Sequence, residues 1–330
     1  MKILVVITGG TIGSTTSGPY TCLDKSKNYA LIEHYKENYD KNTEFDVVSE
    51  YSILSENLTA KELNLLTECI EKSLDKGYDG MIVTHGTDTL QYTASALAYC
   101  FSNLSLPILL VSANYPLENK KSNGYHNFEA AVEFIRAKAG NGVFVSYKNK
   151  DEDKTNIHLA TRVYSHLENT DEVYSIGNQV FAFYKNGLVT LNKEFIKTLS
   201  AKENTRYIFK NKTETLVISS MVGDSFNYSL DNVKAVLIRP YHSGTINTAD
   251  GCLKAFCIRA KEQNIPVFIL TAGLNAEYES TNVFEQFGII PLRLSTFVSQ
   301  YMKLWIATSN DLDIKEFMQK ESAQEYIVNK

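Results

Sequence analysis

The stretch Val83-Thr84-His85-Gly86-Thr87-Asp88-Thr89-Leu90 constrains the fold more than any other part of this 330-residue chain. The apolar run 80–83 before it reads as a short buried strand. After it, Leu90, Ala94, Leu97, Ala98 and Phe101 recur at helical spacing. Strand, tight turn and helix N-terminus thus follow one another within a few residues. At such a junction free backbone N–H groups and the helix dipole attract a carboxylate or a developing oxyanion. The turn delivers hydroxyls and a carboxylate to that point. On these residues alone a purely structural role is equally open, with Asp88 as an N-cap and Thr87 as a turn residue.

The rest of the first half repeats the pattern. Residues 2–8 are an apolar run leading into Thr8-Gly9-Gly10-Thr11-Ile12-Gly13-Ser14, whose glycines allow a strained turn or a close approach to a ligand. The GxGxxG spacing of a dinucleotide site is missing, as is the Lys-Ser/Thr pair of a phosphate-binding loop. Thr11 is left as a hydroxyl on a glycine-rich loop just past the C-terminal end of a strand, where ligands bind in open α/β sheets. Residues 45–51 read as a second strand, followed by Ser55-Glu56-Asn57, and Thr59-Ala60-Lys61-Glu62 is a capping box opening a helix over 63–74. Strands over 106–111 and 142–147 flank Ser122-Asn123-Gly124 and a helix over 128–137. Strands alternating with helices predict an α/β fold with a doubly wound, largely parallel sheet, its polar loops gathered on one edge.

Residues 148–178 are polar without a helical period and read as a loop or hairpin excursion. A short hairpin is expected over 180–191, turning at Lys185-Asn186-Gly187. The Lys-, Asn-, Thr- and Glu-rich segment 192–212 is the linker candidate between an N-terminal domain, 1–191, and a smaller α/β domain, 213–330. In the latter, strands are expected over 215–220, 235–239 and 266–271, with helices over 251–263 and 297–307 and a charged helix and tail over 311–330.

Composition excludes several classes. A net charge of -5, with no concentrated basic stretch, argues against nucleic acid as the main partner. No apolar run approaches the ~20 residues of a membrane span, so no membrane partner is expected. Met1 to Ile7 runs straight into Thr8-Gly9-Gly10 and reads as a core strand, not a signal peptide, which places the protein in the cytoplasm. The cysteines Cys22, Cys69, Cys100, Cys252 and Cys257 are scattered, without metal-ligand spacing, and read as buried reduced thiols. No metal and no cofactor is expected.

Thr8-Gly9-Gly10-Thr11-Ile12 together with Thr84-His85-Gly86-Thr87-Asp88-Thr89 closely resembles the paired signatures of bacterial-type L-asparaginases. Ser55-Glu56, the run Pro116-Leu117-Glu118 leading to Ser122-Asn123-Gly124 and Asn127, and Tyr241-His242-Ser243-Gly244-Thr245-Ile246-Asn247 match further family segments in order. The resemblance covers nearly the whole chain and is closer to the cytoplasmic type. It implies an amidase in which a threonine attacks the side-chain amide carbon of L-asparagine or a related amide, and the acyl-enzyme is then hydrolysed. The residues agree: with no Ser-His-Asp pattern or metal cluster, a threonine on a glycine loop is the available nucleophile, and it needs a proton acceptor. By resemblance Thr11 is the nucleophile and Tyr20 its activating partner, with Glu277 or Glu279 as the acidic partner of the tyrosine. Thr87 and Asp88 position water or assist proton transfer. Asp88, Ser55 and Glu56 hold the α-amino and α-carboxylate groups, and the backbone near Ala113 and Thr87 forms the oxyanion site. Gly10 and Gly86 line the same pocket. Asn247 reaches a neighbouring subunit's site, which implies a homodimer or homotetramer. His85 and His242, each in a turn beside glycine, are not catalysts in the family.

The resemblance fails at two places. Aligning Arg162 and Val173-Tyr174-Ser175 with the family pattern puts Ser165 where the family carries a lysine that meets the second threonine and the aspartate. Lys154 and Arg162 are the cations left to fill that space, and an arginine cannot act as a base. Asn123, where the family usually has Asp, is a milder departure. Three functions follow: an asparaginase; a binding protein or pseudoenzyme that keeps the amino-acid pocket; or an amidase for a different, larger amide, favoured by the altered segment 149–175.

Overall fold

The N-terminal apolar run forms β1 (Lys2–Ile7), buried from Ile3 onward. In this computed structural model residues 1–17, 20–23, 29–166, 170–192, 204–271 and 278–327 are described. The chain divides into two units, Met1–Arg206 and Tyr207–Lys330. After β1 the first unit continues through β2 (Ser14–Ser17), β3 (Tyr20–Leu23), α1 (Ala30–Asn38), β4 (Glu44–Val48), α2 (Ala60–Glu71), β5 (Gly80–Thr84) and α3 (Leu90–Cys100). Then come β6 (Pro107–Val111), α4 (Gly124–Arg136), β7 (Gly142–Tyr147), β8 (Thr155–Leu159), β9 (Ala182–Lys185) and β10 (Leu188–Leu191).

Among the described residues one sheet has the order β10-β9-β8-β7-β6-β5-β1-β4. Strands β4, β1, β5, β6 and β7 are parallel; β8, β9 and β10 add on antiparallel. Residues 3–7 of β1, 80–83 of β5 and all of β6 are apolar and buried because helices cover both faces of a parallel sheet. The fold is therefore the expected doubly wound, largely parallel one. From β1 the chain moves to β4 on one side and returns to β5 on the other, so the direction of winding reverses between β1 and β5. In open α/β sheets the ligand crevice lies outside the strand ends at such a switch point. The register pairs Ile7 with Thr84 and Thr84 with Val111, which brings the three strand ends level.

The expected hairpin is present, with Asn186 and Gly187 both at positive φ, as a two-residue turn between twisted strands requires. The excursion over 148–178 is a correction in part. Its first section is β8, a buried strand paired with β7, Phe144 opposite Leu159 and Tyr147 opposite Asn156. Thr155, Asn156 and His158 are buried polar residues, and they hid the apolar period. The later section does fold back on itself, closing at a bridge between Val163 and Ser175. Helix α1 was not legible, since only Leu31, Ile32 and Tyr35 of it are buried.

Of the expected linker, residues 193–203 lie outside the described residues. Arg206 pairs with Glu71 at 2.8 Å in the first unit, and Phe209 is buried against Trp305 in the second. The second unit is a parallel sheet ordered β11 (Thr215–Ser219), β12 (Ala235–Arg239), β13 (Val267–Leu270), β14 (Ile289–Leu292). Helices α5 (Cys252–Glu262), α6 (Phe284–Phe287), α7 (Phe297–Ser309) and α8 (Ile314–Gln319) accompany it. The expected C-terminal helix is confined to α8, and the tail beyond it buries Glu325 and Tyr326.

Candidate active site

Glycine contacts bring the three polar loops of the first unit together. Gly10 has φ +77°, and a Cβ there would stand 2.2 Å from the Gly86 nitrogen. A Cβ on Gly86 would lie 2.4 Å from Ser55 Oγ and 3.2 Å from Gly10 Cα. Only glycine permits this approach. Hydrogen bonds fix the same cluster: Gly10 N–H donates to the Ile53 carbonyl at 2.9 Å, and Ile53 N–H to the Thr8 carbonyl at 3.0 Å. The Thr8 hydroxyl donates to the Thr84 carbonyl at 2.6 Å. The backbone around Thr11, Ser55 and Thr87 is thereby held at the β1/β5 switch point.

Ser55 is buried, Thr87 half-buried, and Glu56 and Asp88 are exposed at this edge. Asp88 is not the N-cap of α3. Thr89 occupies that position, and its hydroxyl donates to the Ser55 carbonyl at 2.8 Å instead of capping the helix. No side chain caps α3; Leu90 N–H donates to the Thr87 carbonyl at 3.3 Å and Tyr92 N–H to the Thr89 carbonyl at 3.1 Å, and the helix start brings its partial positive charge to the loop. Ala113 lies in the buried loop after β6. Thr11 opens a 3-10 turn closed by Gly13 N–H to the Gly10 carbonyl at 3.0 Å, and Tyr20 pairs with Ser17 across the β2–β3 hairpin. The side chains of Thr11 and Tyr20, and all of Glu277, lie outside the described residues.

His85 is structural. Its ring is buried, Nδ1 meets the Gly86 carbonyl at 2.8 Å and Nε2 the Thr93 hydroxyl at 2.8 Å, and burial pushes it down to about 4, hence neutral. Asn123 has a reason to be an amide. Its Oδ1 accepts from Asn114 N–H at 3.0 Å while its Nδ2 donates to the Lys148 carbonyl at 2.8 Å, and a carboxylate cannot donate. Asn127 ties β6 to β7 in the same way, donating to the Ser112 carbonyl and accepting from Lys148 N–H, each at 2.8 Å. A groove of about 670 Å³ opens beside these loops, lined among others by Asn114, Lys121, Asn123, Lys148, Asp171 and Glu172.

The residue that sequence reasoning missed is His166, next to Ser165. Its half-buried ring lies by the Thr87 and Glu172 backbone carbonyls and in the field of the Asp88 and Asp171 carboxylates. Both ring nitrogens are shut off from solvent, and neither completes a hydrogen bond. The only sequence signal was its place one residue past the expected lysine position. Asn247 is in the second unit, in the loop after β12. It is exposed, accepting from Ala249 N–H at 3.1 Å and donating to Asp250 at 2.7 Å, a turn that leads into α5. Among the described residues no group of three His, Cys, Asp or Glu converges as a metal site, and no helix is long and apolar enough to cross a membrane.

Two α/β units, with glycine-pinned threonine and carboxylate loops at the switch point of the larger, make the class that of an amidohydrolase fold shared with L-asparaginases. The thermostable L-asparaginase from Thermococcus kodakarensis superimposes with a TM-score of 0.82 over 100% of both chains at 23% identity. L-asparaginase I from Vibrio cholerae does so at 0.80 over 99% of both, 22% identical. The family model "Asparaginase, N-terminal" matches residues 2–197, and the chain belongs to the asparaginase family. It is also 25% identical, over 98% of its length and 77% of the relative's, to a glutamyl-tRNA(Gln) amidotransferase subunit from Methanobrevibacter smithii. It spans 39% and 48% of the equally named proteins from Methanosphaera stadtmanae and Sulfurisphaera tokodaii, less than half the length of either.

Proposed function

We propose that this protein is a cofactor-independent amidohydrolase that converts L-asparagine and water to L-aspartate and ammonia. The observation that carries the reading is the mutual packing of Gly10, Gly86 and Ser55, which leaves Thr11, Thr87 and Asp88 on loops of one cluster. Thr11 Oγ bonds to the amide carbon, Tyr20 takes the Thr11 hydroxyl proton and passes it to the amide nitrogen, and the carbon–nitrogen bond breaks to release ammonia. Thr87 and Asp88 then direct water onto the acyl-enzyme. Backbone N–H groups near Ala113 and Thr87 hold the oxyanion, where preorganised donors contribute most. Asp88, Ser55 and Glu56 hold the amino-acid end of the substrate. The working form is a cytoplasmic homodimer or homotetramer in which Asn247 serves a neighbouring copy's site.

Ammonia release by the purified protein with millimolar L-asparagine, L-glutamine or buffer alone tests this. Asparagine-dependent release that vanishes in Thr11→Ala is the expected result. Silence with both amides, in the wild type and in Ser165→Lys, would overturn it. A second reading, an amide-hydrolysing component of an amidotransferase, is supported by the likeness to the Methanobrevibacter smithii protein across nearly the whole chain. It predicts that turnover of the free amide is slow and rises when a partner protein is supplied.

A further inference from the structure

His166 is surrounded by groups that only accept protons or hydrogen bonds. The Thr87 carbonyl and the Asp88 carboxylate come from the turn after β5; the Glu172 carbonyl and the Asp171 carboxylate come from the returning arm of its own excursion. From β7, Tyr147 presents its ring at 6.2 Å, edge to face, while its hydroxyl donates to the Asp171 carbonyl at 2.5 Å. The Glu172 carboxylate is turned away to the Tyr174 hydroxyl at 2.5 Å. The excursion is anchored on both sides of the ring. Asn149 makes two hydrogen bonds to the Val173 backbone, at 2.9 and 3.1 Å, and Tyr164 N–H donates to the Tyr174 carbonyl at 2.9 Å. The imidazole is therefore held against the Thr87–Asp88 turn by a fixed frame, with the Thr87 and Glu172 carbonyls as the acceptors beside it.

An imidazole in this setting has two opposed tendencies. Burial lowers its proton affinity, while the Glu172 and Thr87 carbonyls and the two carboxylates raise it, and burial is the larger effect. At neutral pH the resting ring is thus neutral, with one nitrogen lone pair unspent. Taking up a proton lets the second nitrogen donate to a carbonyl and sets the new charge between Asp88 and Asp171.

We propose that His166 is the positioning residue of the Thr87–Asp88 pair and the resting place of the proton released there during turnover. The role rests on the amidohydrolase reading. As water attacks the acyl-enzyme, its oxygen bonds to the acyl carbon and its proton moves to Thr87 Oγ, while the Thr87 hydroxyl proton moves to the imidazole. The bond from the acyl carbon to Thr11 Oγ breaks, and the imidazolium's proton is returned, by way of Thr87 and solvent, to Thr11 Oγ. No net proton is gained or lost.

The test measures ammonia release by the full chain across pH for wild type, Thr11→Ala, His166→Gln, His166→Asn and His166→Ala, the last with and without added imidazole, with circular dichroism as a folding control. The expected result is a fall in kcat of about 100-fold in both His166→Gln and His166→Asn, the lower range of general acid–base contributions. KM should change less than about threefold, the acid limb of the kcat profile should disappear, and imidazole should restore part of the rate in His166→Ala. Wild-type levels of kcat with an intact acid limb in folded His166→Gln and His166→Asn, Thr11→Ala being silent, would overturn this role while leaving the amidohydrolase reading standing. A reduced kcat that keeps the acid limb and ignores imidazole would mean packing only, and overturns it too. Silence of both the wild type and Ser165→Lys with both amides overturns the two together.

Discussion

Lys303 in the second unit and His166 in the first are both basic side chains withdrawn from solvent, and they are held in opposite ways. The Lys303 ammonium pairs with Glu325 at 2.6 Å, both side chains having no exposure, and it donates also to the Lys320 carbonyl and the Tyr326 hydroxyl. Glu325 in turn accepts from Ser322 N–H at 3.0 Å and Ala323 N–H at 2.7 Å. Every hydrogen of that ammonium has a use, and the cluster ties the C-terminal tail to α7. The two nitrogens of His166 have none. A saturated charge is fixed and belongs to the fold; an unsaturated titratable group beside a polar loop keeps the freedom to change its charge. This contrast, more than burial alone, separates architecture from chemistry here.

The comparison breaks most visibly if the saturated side is cut. Lys303→Met leaves Glu325 buried without its partner, which costs about 3–5 kcal/mol in comparable sites. Denaturant unfolding should show that loss, and Lys303→Met combined with Glu325→Leu should recover most of it, since an apolar pair of similar volume is tolerated. An equal loss in the double variant would mean that packing of the tail, not the charge pair, is the source. Next in size is Gly10→Ala. A side chain at φ +77° and 2.2 Å from the Gly86 backbone combines left-handed strain with overpacking, about 2–4 kcal/mol together. Unfolding free energy should fall by that amount, and ammonia release with it; an unchanged protein would show that the two loops part freely.

Acid sharpens the same contrast among the histidines. His85 and His158 are each pushed down to about 4 by burial, from an ordinary value of 6.5. The unfolded chain binds their protons first, so the stability they contribute is whole above pH 6.5 and is lost as pH falls toward 4. The slope is about 1.4 kcal/mol per pH unit for each ring between those limits. Unfolding free energies measured from pH 7 to 4.5 should follow it, and His158→Asn should remove about half of the slope. A flat profile would mean that both rings take up protons as readily in the folded state as in the unfolded chain.

How much of this was legible follows the same physics. Strands β1, β5 and β6 announced themselves because a parallel sheet covered on both faces needs uninterrupted apolar runs. The loops after β1 and β5 were legible because their glycines and hydroxyls follow those runs directly. β8 was not, because Thr155, Asn156 and His158 satisfy or shelter polar groups inside the sheet, and a polar string looks like a loop. His166 was not, because its meaning lies in what surrounds it: Asp88 is distant in sequence, and a histidine in a polar excursion carries no period. Asn123 read as a departure until its two opposite hydrogen bonds were seen.

The smallest expected effect concerns the capping box before α2. Thr59 Oγ1 accepts from Lys61 N–H at 3.3 Å, the Thr59 hydroxyl donates to Glu62, and Glu62 also accepts from Thr59 N–H at 3.2 Å. Thr59 is thus as well supplied with partners as Lys303, but it stands in water. Thr59→Ala should therefore cost about 1 kcal/mol, a fraction of the loss from Lys303→Met, and Thr59→Ser almost nothing. Thermal unfolding of the two variants beside Lys303→Met decides the point. If Thr59→Ala matched Lys303→Met, the number of hydrogen bonds would set what a polar cluster is worth. If it falls well below, exclusion of water sets it, because an orphaned group at the surface turns to solvent while one inside the fold has nowhere to turn.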